Sequence, residues 1–340
     1  MRRQWRNEDS AETKILAETL SLAQTLRGMQ GVPILTVNDD GDGVVINAET
    51  VVPMISGDAH TSFVLEEGLE IKDLDIGSLT LGQNYGVYVC DDGSKYGEAV
   101  ISANTTAPDG YTATNSIKIG GFHYGRVRTY DQRFDKTATL DVQVVPNSVW
   151  DLICRPACLD PAGMAKVGGV WVDIYLNSED GTQWPETIPQ SVYGAVPLTG
   201  TEGYSYFDYA QLAANAGKRL PTYQEFLAYA YGVPAGNTGA SGRVNTGSQD
   251  WMVSCANIDQ PSGNVYQLTG NLGFGGGSSW ASHDEGVDSA YDHGDLYGSV
   301  YQLRVGGDWG DPAGARCALA YSTVWNVDGN VGLRCVSDPL

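Results

Sequence analysis

The chain has 340 residues, 42% of them hydrophobic, and sets 20 Lys and Arg against 41 Asp and Glu for a formal charge of -21. A chain this acidic repels phosphate backbones and anionic lipid, which argues against nucleic acid and membranes as partners; its plain consequence is solubility. No run approaches the ~20 apolar residues of a membrane-spanning helix, and the opening MRRQWRNEDSAETK has no apolar leader, so a protein made in a cytoplasm, without membrane insertion, is expected.

The first pattern in chain order is a helix over 9–29, DSAETKILAETLSLAQTLRGM. Asp9 and Glu12 have capping-box spacing, and Ile15, Leu16, Leu20, Leu22, Leu26 and Met29 form a wide apolar face. That face needs a partner, either the body of its own chain or further copies. From Val32 to Val145 short alternating runs (PILTV, GVVINA, NYGVYVC, TLDVQVV) are divided by DDGDG, DDGS and PDG turns, the pattern of a β-sandwich or prism. Within it Asn38, Asp40, Asp42, Gly43 and Glu49 come close to a calcium-loop spacing. The flanking PILTV and VVINA are strand formers rather than helices, so a hairpin turn is expected there.

After Pro146 the texture changes. Strand-like VWDLI and GVWVDIYL lead to two helical patterns, YFDYAQLAANAG ended by Gly217, and TYQEFLAYAYG opened by the capping pair Thr222 and Glu225. A Gly/Ser/Asn-rich stretch over 233–298 follows, of a length compact domains seldom carry without using it. In it Asp284, Glu285, Asp288, Asp292, His293 and Asp295 crowd one loop, a candidate for a structural calcium or magnesium ion as well as for a solvated acidic loop. The expected division is 1–58 (helix and β assembly region), 59–146 (sandwich-like) and 147–340.

Nothing local specifies catalysis. His60, His123, His283 and His293 are dispersed, no Ser or Cys nucleophile has a base nearby in sequence, and the six cysteines lack zinc-type pairs, so buried thiols are expected. Cys154 and Cys158 lie close together with no metal-binding context beside them.

Three phrases carry a resemblance: GKRLPTYQEFLAYAYG (Gly217 to Gly232), SGNVYQL (Ser262 to Leu268) and the terminal GGDW…GLRC. Their order resembles the C-type-lectin-like fold of the formylglycine-generating enzyme type. Upstream, NYGVYVCDDG, APDGYTATNSIKIGGFHY and VWDLICRPACLDPAGM join this to a β-domain in the manner of the diversity-generating-retroelement variable proteins, the family of the phage tropism determinants. The likeness runs from about Thr80 to Leu340.

The resemblance implies an α+β multidomain fold, an N-terminal helix and β-rich region followed by a C-type-lectin-like domain. It implies a virion tail-fibre tip that is a homo-oligomer, a trimer, bound to other tail proteins and to a host cell-surface protein or other ligand, with no cofactor required. Carried over by position, the exposed variable sites are Asp308, Gly310, Leu319, Tyr321, Ser322, Asn326, Asp328, Asn330 and Val331, with Asp311, Thr323 and Trp325 beside them. Gly306, Gly307, Trp309, Arg316, Gly332, Leu333 and Arg334 are the implied scaffold.

The residues themselves agree with this picture. Paired glycines suit tight corners, Trp309 suits a core anchor, and Tyr321, Trp325, Asn326 and Asp328 are types that binding surfaces favour. Two other readings compete. A formylglycine-generating oxidase needs two copper-binding thiols in the terminal stretch, where Cys317 stands alone between Gly307 and Gly332. A calcium-dependent lectin is faintly echoed in DQPSG (Asp259 to Gly263) and WNVDG (Trp325 to Gly329), but Ser262 stands where a carboxylate is needed and Val327 interrupts the second motif.

Overall fold

The computed structural model describes residues 4–5, 32–56, 59–94, 97–281, 287, 296–311 and 317–340. The helix expected over 9–29 and the acidic loop from Asp284 to Asp295 lie outside the described residues, as does Arg316. What is described is mostly β, with two α-helices, Tyr206–Asn215 and Tyr223–Tyr229, so the α+β label gives way to a mostly-β fold. Among the described residues those two segments combine capping with a helical apolar period; most other apolar runs there alternate and pair as strands.

The chain forms two compact units. One comprises Met1–Gly125, Val142–Arg155 and Leu340; the other comprises Arg126–Asp141 and Pro156–Pro339. The division expected at 58/59 and 146/147 differs from these two units, which exchange segments around residues 126–155. Residues 126–141 join the C-terminal unit because Arg128, only 1% exposed, donates to the carbonyls of Val253 at 2.6 Å and of Trp251 and Asp135 at 2.9 Å.

In the N-terminal unit, Leu35–Val37 pairs antiparallel with Val44–Ile46 through the NDDGDG turn. Asn38 Oδ1 accepts the amides of Asp42 and Gly43, each at 3.1 Å, the hairpin closure expected of that sequence. A second sheet runs Asp141–Val144, Ser116–Val127, Gln83–Cys90, Glu98–Ser102, and Trp150–Asp151 also pairs with its long strand. Leu35, Ile46, Phe63, Val87, Ile101 and Phe122 fill the core. The buried Asp151 ties the unit together: Oδ2 accepts the amides of Ile34 (2.6 Å) and Leu35 (3.1 Å), and Oδ1 accepts those of Ile153 and Cys154 at 2.8 Å.

The C-terminal unit is built around the three resemblance phrases. In GKRLPT, Gly217 ends the first helix at φ 66°. Lys218 turns inward to Asp173 at 2.6 Å, and Arg219 forks onto Glu225 (3.0 and 2.7 Å) and reaches Asp338 at 2.8 Å. Thr222 caps the second helix, its Oγ1 accepting the Glu225 amide at 3.2 Å. Both helices pack on a sheet ordered Ala318–Thr323, Leu296–Val305, Tyr266–Ala281, Val331–Gly332, the last pair parallel. Tyr209 and Leu212 meet Leu268, Val300 and Leu333 in one cluster, while Phe226 and Tyr229 meet Val172, Val305 and Val336 in another.

Candidate functional site

The terminal stretch is held from beneath. Arg334 is fully buried: Nε donates to Gln267 Oε1 (2.8 Å), Nη1 to the carbonyls of Asp173 (2.6 Å) and Ile174 (2.7 Å), and Nη2 to those of Asp259 (2.6 Å) and Gln260 (3.3 Å). Gln267 also accepts the Tyr229 hydroxyl at 3.0 Å and donates to Pro261 O at 2.7 Å. Asn264 bridges Val244 and Gln260, so SGNVYQL and GLRC share one polar network in the core.

Two glycines of the scaffold are required by geometry. Gly306 has φ 91°, and a Cβ there would lie 2.7 Å from Pro261 O. A Cβ on Gly332 would lie 2.3 Å from Leu198 O, so the close bridge between Gly332 and Thr199 requires glycine there.

On this frame the twelve implied surface positions separate into classes. Gly310, Leu319 and Asn326 are exposed, as is their neighbour Val327. Asp308, Asp311, Thr323, Trp325, Asp328 and Asn330 are half-buried. Ser322 and Val331 are buried, at 7% and 3% exposure, so the expectation that they face solvent fails. Val331 pairs with Tyr266 beside the core, and Ser322 lies on the strand Ala318–Thr323 next to the buried Val324. Tyr321 lies on the same strand, its side chain outside the described part of the structure. Trp309 is half-buried in a turn rather than a core anchor; a turn at a strand end has too few neighbours to enclose an indole.

The half-buried acids are tied down. Asp308 Oδ2 accepts Asn330 Nδ2 at 2.6 Å and its Oδ1 accepts the Gly310 amide at 2.9 Å. Asp311 accepts the Tyr266 hydroxyl, and burial together with that carboxylate drives the phenol well above its ordinary pKa. Asp328 pairs with Arg304 at 2.6 Å. Sequence reasoning missed Tyr266, Gln267, Gln302 and Arg304. Their one local signal is the alternation of polar with apolar residues in VYQL and VYQLRV, strands that are otherwise core-like.

All six cysteines are free thiols, and burial raises both Cys317 and Cys335, against the paired thiolates a copper site needs. The lectin echo loses its first half, because Asp259 and Gln260 face the interior. Among the described residues, no three His, Cys, Asp or Glu side chains are grouped to hold a metal.

Asp259 carries a pH consequence. Its Oδ1 accepts the Gly247 amide at 2.8 Å, yet complete burial pushes the carboxyl up to about 7. The folded state then holds a proton that the unfolded chain, near 3.9, has lost, so stability falls as pH rises from about 4 through 7. Asp259→Asn is expected to flatten that limb by up to about 1.4 kcal/mol per pH unit, read from denaturant midpoints across the range. Identical pH profiles in the variant and the parent would remove this assignment.

The family described as "Mtd second domain" matches residues 35–151. The tail fiber receptor-binding protein of Bordetella phage BPP-1 is 33% identical over 270 residues, covering 72% of this chain and 68% of that protein. Solved structures of the Major Tropism Determinant M1 and U1 variants superpose with TM-scores of 0.74 and 0.73 at 27% identity, covering 91% of this chain and 84% of theirs.

Proposed function

Because the chain belongs to the family of the phage tail fibre receptor-binding proteins and Major Tropism Determinants, we propose that it is a virion protein that selects host cells by binding a ligand on their surface. The observation that carries the recognition surface is the pairing of an outward set, Leu319, Asn326 and Val327, with a backbone pinned by buried Arg334 and by glycines that admit no side chain. Such a frame tolerates exchange of what it displays, as retroelement diversification would require. Half-buried Trp325 adds a rigid aromatic of the kind that dominates binding energy.

The protein works as a homo-oligomer, a trimer, joined to other tail proteins. Several weak contacts on one cell then act as one strong one. A monomer mass by light scattering would remove the trimer from this reading. Binding needs no cofactor; a calcium or magnesium ion at the Asp284–Asp295 loop would have a structural role. The relatives are receptor-binding proteins, and a recognition role without catalysis is the reading taken here.

The experiment is attachment of purified protein to host cells. Trp325→Ala and Tyr321→Ala are each expected to weaken it by about 2 kcal/mol, counted per folded molecule because Trp325 also packs on the core cluster. Unchanged attachment by both variants would take these residues out of the contact set.

A further inference from the structure

We propose that Arg304 is the positioning residue of the recognition surface, and that its partner Asp328, although on the surface, belongs to the fixed frame rather than to the exchangeable set. This rests on the receptor-binding reading above and narrows where specificity resides.

Arg304 lies on the strand Leu296–Val305 and is 4% exposed; Gln302, two residues earlier on the same face, is 1% exposed. Arg304 Nε donates to Gln302 Oε1 at 3.0 Å, which orients the amide so that its Nε2 donates to Val324 O (3.2 Å) and Asn326 O (3.4 Å). Arg304 Nη2 lies 2.6 Å from Asp328 Oδ2, a close ion pair without the alignment of a hydrogen bond. Two adjacent inward side chains of one strand thus reach the following loop at 324, 326 and 328.

The backbone at Asp328 is locked as well. Its carbonyl accepts the amides of Gly200 and Val331, each at 3.1 Å, and a Cβ on Gly200 would lie 2.5 Å from Asp328 N and O. The loop therefore cannot slide to accommodate a new residue at 328. A buried guanidinium needs a nearby anion, and among the described residues Asp328 is the one paired with it. A neutral residue at 328 leaves that cation uncompensated, whereas Val327 is exposed and Asn326, also exposed, makes only a 3.3 Å contact to Asp328 Oδ2 that the Arg304 pair does not need. Exchange at this end of the surface is thereby confined to a window between Trp325 and Asp328.

The test is hydrogen exchange by mass spectrometry on the full-length protein, with cell attachment measured in parallel. In Arg304→Met and Asp328→Asn the amides of Gly200 and Val331 are expected to exchange at least about tenfold faster, while that of Asp173, bonded to Cys335 O, keeps its protection. Arg304→Lys, which retains the charge, restores most of the difference. Attachment falls in step with lost protection. If Arg304→Met does not fold, Asp328→Asn, nearly isosteric and a third exposed, decides the matter. Wild-type protection at both amides overturns the proposal, and so does lost protection with undiminished attachment. If protection falls as expected while exchanges at Leu319, Asn326 and Val327 leave attachment untouched, the positioning role stands and the receptor reading fails.

Discussion

Arg334→Met is expected to destabilise the C-terminal unit by about 3–5 kcal/mol, a large fraction of a domain's usual stability of about 5–15 kcal/mol. Met has similar length and would fill the space, and removing a desolvated cation is by itself favourable. What decides the sign is what the guanidinium leaves behind. The carbonyls of Asp173, Ile174 and Asp259 and the amide oxygen of Gln267 are buried beside it and have hydrogen bonds of 2.6–2.8 Å to lose. Each buried acceptor left unpaired costs about 1–3 kcal/mol, so the losses exceed the relief of desolvation. Denaturant unfolding followed by fluorescence should show the C-terminal transition moving to low denaturant while a separate N-terminal transition stays in place. A shift below about 1 kcal/mol would mean that water or a rearranged Gln267 satisfies those acceptors.

The second large effect is on binding. Replacing Leu319, Asn326 and Val327 together is expected to abolish attachment to the parent's host cells, a loss of about 3 kcal/mol or more, while the protein stays folded with unfolding stability lowered by about 2 kcal/mol. Leu319 and Val327 are 37% and 39% exposed, so each is partly covered in the monomer and its replacement surrenders on the order of 1 kcal/mol of apolar burial. Asn326 donates to Asp328 at 3.3 Å, a weak surface contact that leaves the Arg304 pair intact. The frame beneath, from Gly332 to Arg334, contains none of the three. The expected separation between binding and folding follows from this arrangement, since the side chains proposed to meet the ligand are not those that hold the backbone.

Much of this was legible in the sequence. GKRLPT announced a helix end, a turn and a capped helix because each depends on residues within a few positions: Gly217 at positive φ, and Thr222 bonded to Glu225. The NDDGDG hairpin was equally local. Arg334 was implied as scaffold, but its partners were not legible, because they lie 67 to 161 residues away, and nothing near Lys218 reveals that it is buried against Asp173, 45 positions earlier. Positional carry-over placed Ser322 and Val331 on the surface. It transfers position along the chain but not which side of a strand a residue faces. Trp309 failed in the opposite way: an indole favours burial, but the turn that carries it cannot enclose it. The crossing of 126–141 into the C-terminal unit depends on Arg128 reaching carbonyls as far as Val253, 125 residues on.

The most direct measurement is attachment and unfolding recorded on the same preparation of the Leu319/Asn326/Val327 variant. A cooperative unfolding transition, its midpoint only modestly lowered, together with lost or redirected cell attachment is the predicted result. Attachment equal to the parent's, or a variant that cannot fold, would contradict a rigid platform with interchangeable outward side chains.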